Sequence, residues 1–535
     1  MRPHVMVATA LLGFGSLGFS CRGEQSKAGP TPVEQRGARQ AGVAEIAPGA
    51  APARGPDGRV LLPVVGEKGE DEFGYPRRQV DRAALRSLLF HRAFDDLTDV
   101  VERLQAEFER DFHCEYWPDD AAVALGTGEM QILPLLEEWV RAKPQSFAPY
   151  LARGTHWVER AFERRGGNFA SATPAENFVS MENAFKNARA DLEHAVELRP
   201  KLLAAMRQQL RTCLPSGETL GPTGAGVMQR ALAACPACFL VRTTYMNALT
   251  PRWGGSYAAM MEFTRRSQDP ANPRLRLLTG YVDHDQANLL NNHDQYPGAL
   301  AAAERACAVG PHAPFLEERA RARSALGKPA EALADVDQAV ALRPGDPDLL
   351  LARAVVLARA NRWADAARDV RAAVQVEPSN PMARSVHQGV VQGLMYDGWL
   401  RLQKGDKQGA LQQYDLAAEL APDNPEVQGR RAWMIEGGKK GLAEPVAVPD
   451  RAPDDFRAMQ QLDYRLAARG QLGAVVKLWN DYLSRHPDEA QAYLERGGAL
   501  FHLRRVAEAR ADAQKACDLG VSEGCLRAKQ LGGPQ

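Results

Sequence analysis

Few residues in this chain have the type and spacing for chemistry. Cys235-Pro236-Ala237-Cys238 has the two-residue spacing of a thiol–disulfide exchange pair, in which one thiolate attacks and the other resolves. Such a pair opens a helix after a buried strand, whereas Gln229 to Ala234 reads as the end of a helix and Pro236 as a closing proline. A structural disulfide or two packed thiols therefore fits Cys235 and Cys238 better than catalysis. Asp283, His284, Asp285, His293 and Asp294 come nearest to a metal-ligand cluster. His284 and His293 fall on different helix faces, so a solvated polar surface is expected there rather than a metal site. Gly221-Pro222-Thr223-Gly224-Ala225-Gly226 lacks the lysine and the spacing of a phosphate-binding loop. No serine stands in a nucleophile elbow, and no histidine pair brackets a glutamate at metalloprotease spacing. No catalytic residue, metal or cofactor is expected.

The elements that position these residues repeat. Between Ala313 and Asn380 lie two helical hairpins that close on Pro344 and Pro378, 34 residues apart. Two helices approach closely only where the side chains between them are small. In the first copy these are Ala320, Ala332 and Ala339 with Val336; in the second they are Ala354, Ala366 and Ala373 with Val370. Gly327 and Asn361 stand 17 residues before the closing prolines and can take the left-handed conformation that ends a helix. The same offset recurs from Asp294 to Pro311, Gly405 to Pro422, Gly470 to Pro487 and Arg504 to Val521, and more weakly from Thr127 to Pro144 and Asn183 to Pro200. One helix pair cannot bury its own apolar face, so such units must stack.

These residues and this period resemble the tetratricopeptide repeat family. The resemblance implies an all-α superhelical solenoid whose first helices line a groove that holds a peptide or a partner helix. It places Glu317, Arg321, Asp348, Leu351, Val355 and Arg359 on that groove, the alternative being that they are ordinary solvated residues. Arg319, Arg323 and Arg353 stand where the family favours apolar residues, and their guanidinium groups are expected to reach solvent while their stems pack. The lysine and asparagine arrangement that clamps a terminal carboxylate in some members is absent. From about Phe73 to Leu275 the chain also resembles an uncharacterised bacterial domain that accompanies these repeats. The resemblance rests on Asp71-Glu72-Phe73-Gly74-Tyr75-Pro76, Arg165-Gly166-Gly167-Asn168-Phe169-Ala170 and Leu249-Thr250-Pro251-Arg252-Trp253-Gly254-Gly255-Ser256. It adds a domain and no activity. Physically, Trp253 to Ser256 reads as a sharp corner, with a ligand-contacting loop as the alternative. At the other end, Lys515 to Gly520 and Glu523-Gly524-Cys525 resemble secreted cysteine-rich relatives of the repeats, which implies a disulfide between Cys517 and Cys525. Two separately buried thiols are the alternative.

The chain opens with Arg2 and His4, then an apolar run from Val5 to Phe19 that is too short to span a bilayer and reads as an export signal over residues 1–20. Cys21 follows Gly18-Phe19-Ser20, and Leu17 lies four residues before it where a bacterial lipobox has leucine three before. Acylation of Cys21 is expected, with plain secretion to the periplasm or medium as the alternative. Residues 21–70 are rich in Gly, Ala and Pro and read as a tether. A helical domain over 71–280, repeats over 281–436, a linker over 437–455 and terminal hairpins over 456–535 complete the expected order. The 66 basic residues balance 66 acidic ones, which gives no electrostatic reason for a nucleic-acid partner. These features point to a non-enzymatic protein-interaction scaffold of the bacterial cell envelope. An enzyme within 71–280 is the alternative, followed by a thiol-redox protein.

Overall fold

The structure, a computed structural model, describes residues 53–166, 173–214, 221–377, 380–435, 449, 451–467, 471–503 and 505–531. Those residues form 24 α-helices and one short antiparallel ladder, Val64–Val65 against Gln79–Val80. Apart from that ladder the described residues are all-α, as the resemblance implied. It falls into two compact units, one ending at Gly393 and one starting at Leu394.

In the first unit, the Asp81 carboxylate accepts from the Ala84 N–H (3.0 Å) and so starts the helix Arg82–Phe90. The next helix, Phe94–Arg110, buries Leu97, Val100, Val101 and Leu104 along one stripe. Against that stripe packs Trp139, whose buried indole N–H donates to Thr98 (2.9 Å). One helix runs through Arg165 and ends on Gly166, at φ 72°, and the next begins at Ala175.

Three hairpins follow: Tyr281–Asn292 with Tyr296–Val309, Ala313–Ala325 with Pro329–Leu342, and Pro347–Arg359 with Trp363–Val376. Asp294, Gly327 and Asn361 take left-handed φ values of 57°, 75° and 59° at equivalent turns. Ala320, Ala332, Ala339, Ala354, Ala366 and Ala373 are all fully buried between the paired helices. The next repeat closes on Pro422, 44 residues after Pro378 instead of 34, and its first helix is long, Pro381–Gln403. A Cβ at position 393 would stand 2.1 Å from the Trp363 ring, so Gly393 makes room for that indole.

In the second unit, Gly405 (φ 81°) turns the chain into the helix Lys407–Leu420. Trp479, Met459, Leu466 and Val475 centre the core of the helices from Phe456 to His502. Gly470, Arg504, Pro378 and most of the linker after Gly437 lie outside the described residues.

The arginines at apolar positions of the repeats behave differently from expectation. They do not lead to solvent; Arg319 and Arg353 each turn inward to an aspartate 16 residues further on, in the second helix of the same hairpin, as does Arg496. Arg319 donates to Asp335 (2.6 and 3.1 Å), Arg353 to Asp369 (2.7 and 2.8 Å), and Arg496 of the second unit to Asp512 (2.6 and 2.9 Å). The aspartates are almost entirely enclosed, with side chains 4%, 6% and 7% exposed. Arg323 adds a second cation to Asp335 (2.8 Å). A planar guanidinium satisfies both carboxylate oxygens at once. That is why an ion pair can replace an apolar contact here without leaving an unpaired charge.

Candidate partner-binding groove

The first helices Tyr281–Asn292, Ala313–Ala325 and Pro347–Arg359 lie side by side. Asn288 and Asn291 reach from the first to Glu318 on the second (2.6 and 2.7 Å), and Arg359 on the third donates to Ser324 Oγ on the second (2.9 Å). The face they share carries the residues expected to line the groove, with one correction. Asp348 and Arg359 are exposed, and Glu317, Arg321 and Val355 are part-buried. Leu351, in contrast, is fully buried. It belongs to the packing rather than to an open surface, and the face is polar in consequence.

Its electrostatics are unusual for a surface. Glu317 is held well above the ordinary carboxylate range, first by the protein around it and then by Glu318, Asp348 and Asp346. Asp348 is pushed up to about 7 by the same crowding and by Asp346 and Glu377, against a hydrogen bond from Asn380. Arg321 does little to relieve them. It donates to the Asn291 carbonyl (3.3 Å) and lies 4.0 Å from Glu318.

The residues weighed as metal ligands are scattered. Asp283 pairs with Arg305 (2.7 Å), Asp285 with Arg252 (2.9 Å) and Tyr257 (3.1 Å), and Asp294 accepts from Tyr296 (2.6 Å). Asp285 is buried and the His284 ring lies beside Tyr281 and Phe315, whereas His293 and Asp294 are exposed, so the solvated surface expected is found at the second half of the cluster and not at the first. Among the described residues no group of three could hold a metal ion.

The described parts of the three N-terminal phrases are corners and ties; residues 167–170 of the second lie outside the described residues. The Asp71 carboxylate accepts from the Phe73 and Tyr75 N–H groups (2.8 and 2.9 Å) and pairs with Arg274 (3.0 Å). That guanidinium is ringed by Tyr75, Tyr116, Phe239 and Phe73 at 4.2 to 5.8 Å. Tyr75 donates to Glu115 (2.8 Å), which also accepts from the N–H groups of Phe239 and Leu240 at the start of the helix Leu240–Ala248. Gly254 sits at φ 86°, a Cβ on Gly255 would stand 2.1 Å from the Leu249 carbonyl oxygen, and Ser256 caps the next helix through Ala259 (3.1 Å). The corner reading therefore accounts for these glycines. Arg165 lies 5.7 Å from the Trp253 ring centre, so two of the phrases meet in space.

Sequence reasoning missed a clamp between this region and the repeats. Arg82 and Arg343 both donate to one oxygen of the buried Asp120 (2.7 and 2.6 Å), and Arg343 also reaches Gln79 (2.9 Å) and stacks 4.2 Å from the Tyr116 ring centre. Nothing in the spacing of residues 82, 120 and 343 signals it. Beside the clamp, Asp71, Tyr75, His113, Tyr116, Arg274 and Arg343 line a cavity of about 10 Å³. Titratable groups converge there, and the space has room for about one water.

Cys235 and Cys238 form a disulfide in the turn between the helices Gly221–Ala234 and Leu240–Ala248, with both residues buried. Cys517 and Cys525 are joined as well, from the helix Val506–Asp518 to Ser522–Gln530, with Gly520 at φ 94° between them. Cys114 and Cys307 are thiols, pushed up to about 12 and about 11 by burial. Cys21 lies outside the described residues. No described helix is long and apolar enough to cross a membrane.

Comparison with known proteins agrees with this architecture. The tetratricopeptide repeat model matches residues 284–347, 317–383 and 457–520. A domain of unknown function, DUF4034, matches residues 81–218. No curated protein matches the chain. Among solved structures, the chain is similar to a tetratricopeptide repeat protein from Parabacteroides merdae, at 16% identity over 55% of this chain and 95% of that one, with a TM-score of 0.28. It is similar to yeast Tom70 at 13% identity over 84% and 93%, with a TM-score of 0.25. It is also similar to YrrB, described as a TPR protein with an unusual peptide-binding site, at 13% identity over 59% and 100%, with a TM-score of 0.20. TM-scores this low carry no common superposition, and the assignment rests on the two sequence models. Repeats of this kind generally mediate protein–protein interactions. The chain is a tetratricopeptide-repeat protein with a DUF4034 domain ahead of its repeats.

Proposed function

We propose that this protein is a non-enzymatic interaction scaffold of the bacterial cell envelope, held there by a lipid on Cys21, and that it binds a peptide or helix of its partner along the first helices of residues 281–359. The observation that carries the reading is the face itself. Two adjacent first helices present Glu317, Arg321, Asp348, Val355 and Arg359 together, and Glu317 has no hydrogen bond or ion pair among the described residues. The N-terminal region serves as a buttress, because its clamp on Arg343 fixes the turn that leads into the third hairpin. The apolar run before Cys21 supports export.

Two measurements test this. Mass spectrometry of the mature amino terminus should find acylated Cys21; an unmodified Cys21 refutes the anchor. A photo-crosslinking side chain at Val355 should capture a partner in intact cells, whereas one at Arg368, 75% exposed on the second helix of that hairpin, should not. Equal capture from both places refutes the groove.

A further inference from the structure

From the charge pattern of the same face we infer that its partner is a peptide segment carrying a lysine or arginine, seated with its cation on Glu317. The inference rests on the proposed groove and adds the chemistry of what fills it.

The argument is a comparison between carboxylates. Wherever this chain encloses a carboxylate near the repeats, it supplies a donor of its own. Asp335 has Arg319 and Arg323, Asp369 has Arg353, Asp120 has Arg82 and Arg343, and Asp285 has Arg252 and Tyr257. Glu318, the immediate neighbour of Glu317, takes the side-chain amides of Asn288 and Asn291. Glu317, part-buried beside them, has neither a hydrogen bond nor an ion pair among the described residues. The one cation on its own helix face, Arg321, is turned to the Asn291 carbonyl, and the charges facing Glu317 from the next hairpin are the carboxylates of Asp346 and Asp348. A part-buried carboxylate crowded by like charges and without a counter-charge is destabilised. A cation delivered from outside relieves that cost, and its hydrogen bond is charge-assisted on both sides.

Arg321 and Arg359 further along the same helices bound the acidic patch, so the preference is for a basic residue at one position and not for a uniformly basic chain. The carboxylate of a chain terminus, in contrast, would meet like charge at Glu317 and Asp348.

The test is a selection from a random dodecapeptide display library on the full mature protein, with bound peptides located by crosslinking from Val355. Peptides that crosslink there should share a lysine or arginine at one position. Replacing it by glutamine in a synthetic copy should weaken binding about 10- to 100-fold, and Glu317→Gln should weaken the parent peptide equally while leaving the glutamine copy unchanged. Glu317→Arg, a second variant, should turn the selection towards acidic residues. Groove-bound peptides with no basic preference, or equal losses from Glu317→Gln for both peptides, overturn the inference and leave the groove standing. Failure to recover any peptide that crosslinks at Val355 overturns both.

Discussion

Replacing Arg353 should damage its hairpin far more than replacing its partner. Arg353→Met keeps most of the stem but leaves Asp369, 6% exposed, without its cation. Removing one member of a buried pair typically costs about 3–5 kcal/mol. Because Arg353 itself is 25% exposed, water reaches part of the site and the lower figure, about 3 kcal/mol, applies. Asp369→Leu is milder. The freed guanidinium can extend to water and keeps Asp337 at 3.2 Å, so the loss should be about 1 kcal/mol. The double variant should return to within about 1 kcal/mol of the parent, since an apolar pair of similar volume is commonly neutral or better. Whole-chain melting is a poor assay for a repeat protein of two units. Amide hydrogen exchange of the helices Pro347–Arg359 and Trp363–Val376 reads the local opening instead. Exchange there should rise roughly 150-fold for Arg353→Met and about fivefold for Asp369→Leu, at about 1.4 kcal/mol per factor of ten. A rise under tenfold for Arg353→Met, or a double variant whose loss is the sum of the two singles, would refute the claim that these ion pairs are enclosed and coupled.

Asp463 should make the second unit less stable as pH rises. Its carboxyl is pushed up to about 6, first by burial, against the Trp479 indole hydrogen bond. Between about pH 4 and pH 6 the folded form therefore keeps a proton that the unfolded form has lost, and stability falls through that window before levelling off. Asp463→Asn should be neutral at pH 4 and stabilising by roughly 2 kcal/mol at pH 8, read by exchange in Leu472–Arg485; a benefit that is equal at both pH values contradicts the assignment. Cys517→Ser with Cys525→Ser should cost about 2.5 kcal/mol from loop closure, confined to the last two helices because terminal units have one neighbour. Loosening that spreads to Ala490–His502, or recovery of both native cysteines as free thiols by non-reducing peptide mapping, would count against the bridge.

The repeats were legible because their determinants are local. Each hairpin needs small residues at fixed places and a residue that tolerates positive φ at the turn, and Asp294, Gly327, Asn361 and Gly405 supply it. Helix limits within the N-terminal region have the same local origin, since Asp81 and the Leu97 to Leu104 stripe act within one or two turns. The arginines of the repeats were misread for an instructive reason. A lone arginine at an apolar position looks like a side chain bound for solvent, and only the aspartate 16 residues on, across a turn, reveals its destination. Once seen, the offset from 319 to 335, 353 to 369 and 496 to 512 is itself a sequence signal.

The site was less legible, because its decisive property is something that is missing. Placing Glu317 and Asp348 on the inner helix face needs only the repeat register. Knowing that Glu317 lacks a partner needs every nearby donor to be accounted for, including Asn288 and Asn291 from the preceding hairpin and the orientation of Arg321. Leu351 fails from the same cause: register assigns it to the face, while packing around it closes the surface. The clamp on Asp120 joins residues more than 200 positions apart, beyond the reach of any local pattern. It also bears on binding. The loop from Arg343 to Asp346 carries the two residues that connect Asp120 to the acidic edge of the face, since Arg82 contacts Asp120 at 2.7 Å and Asp346 at 3.5 Å. A partner's cation on Glu317 would act on the charges that Arg82 and Arg343 balance, so the DUF4034 domain and the repeats share one electrostatic network rather than serving as separate modules.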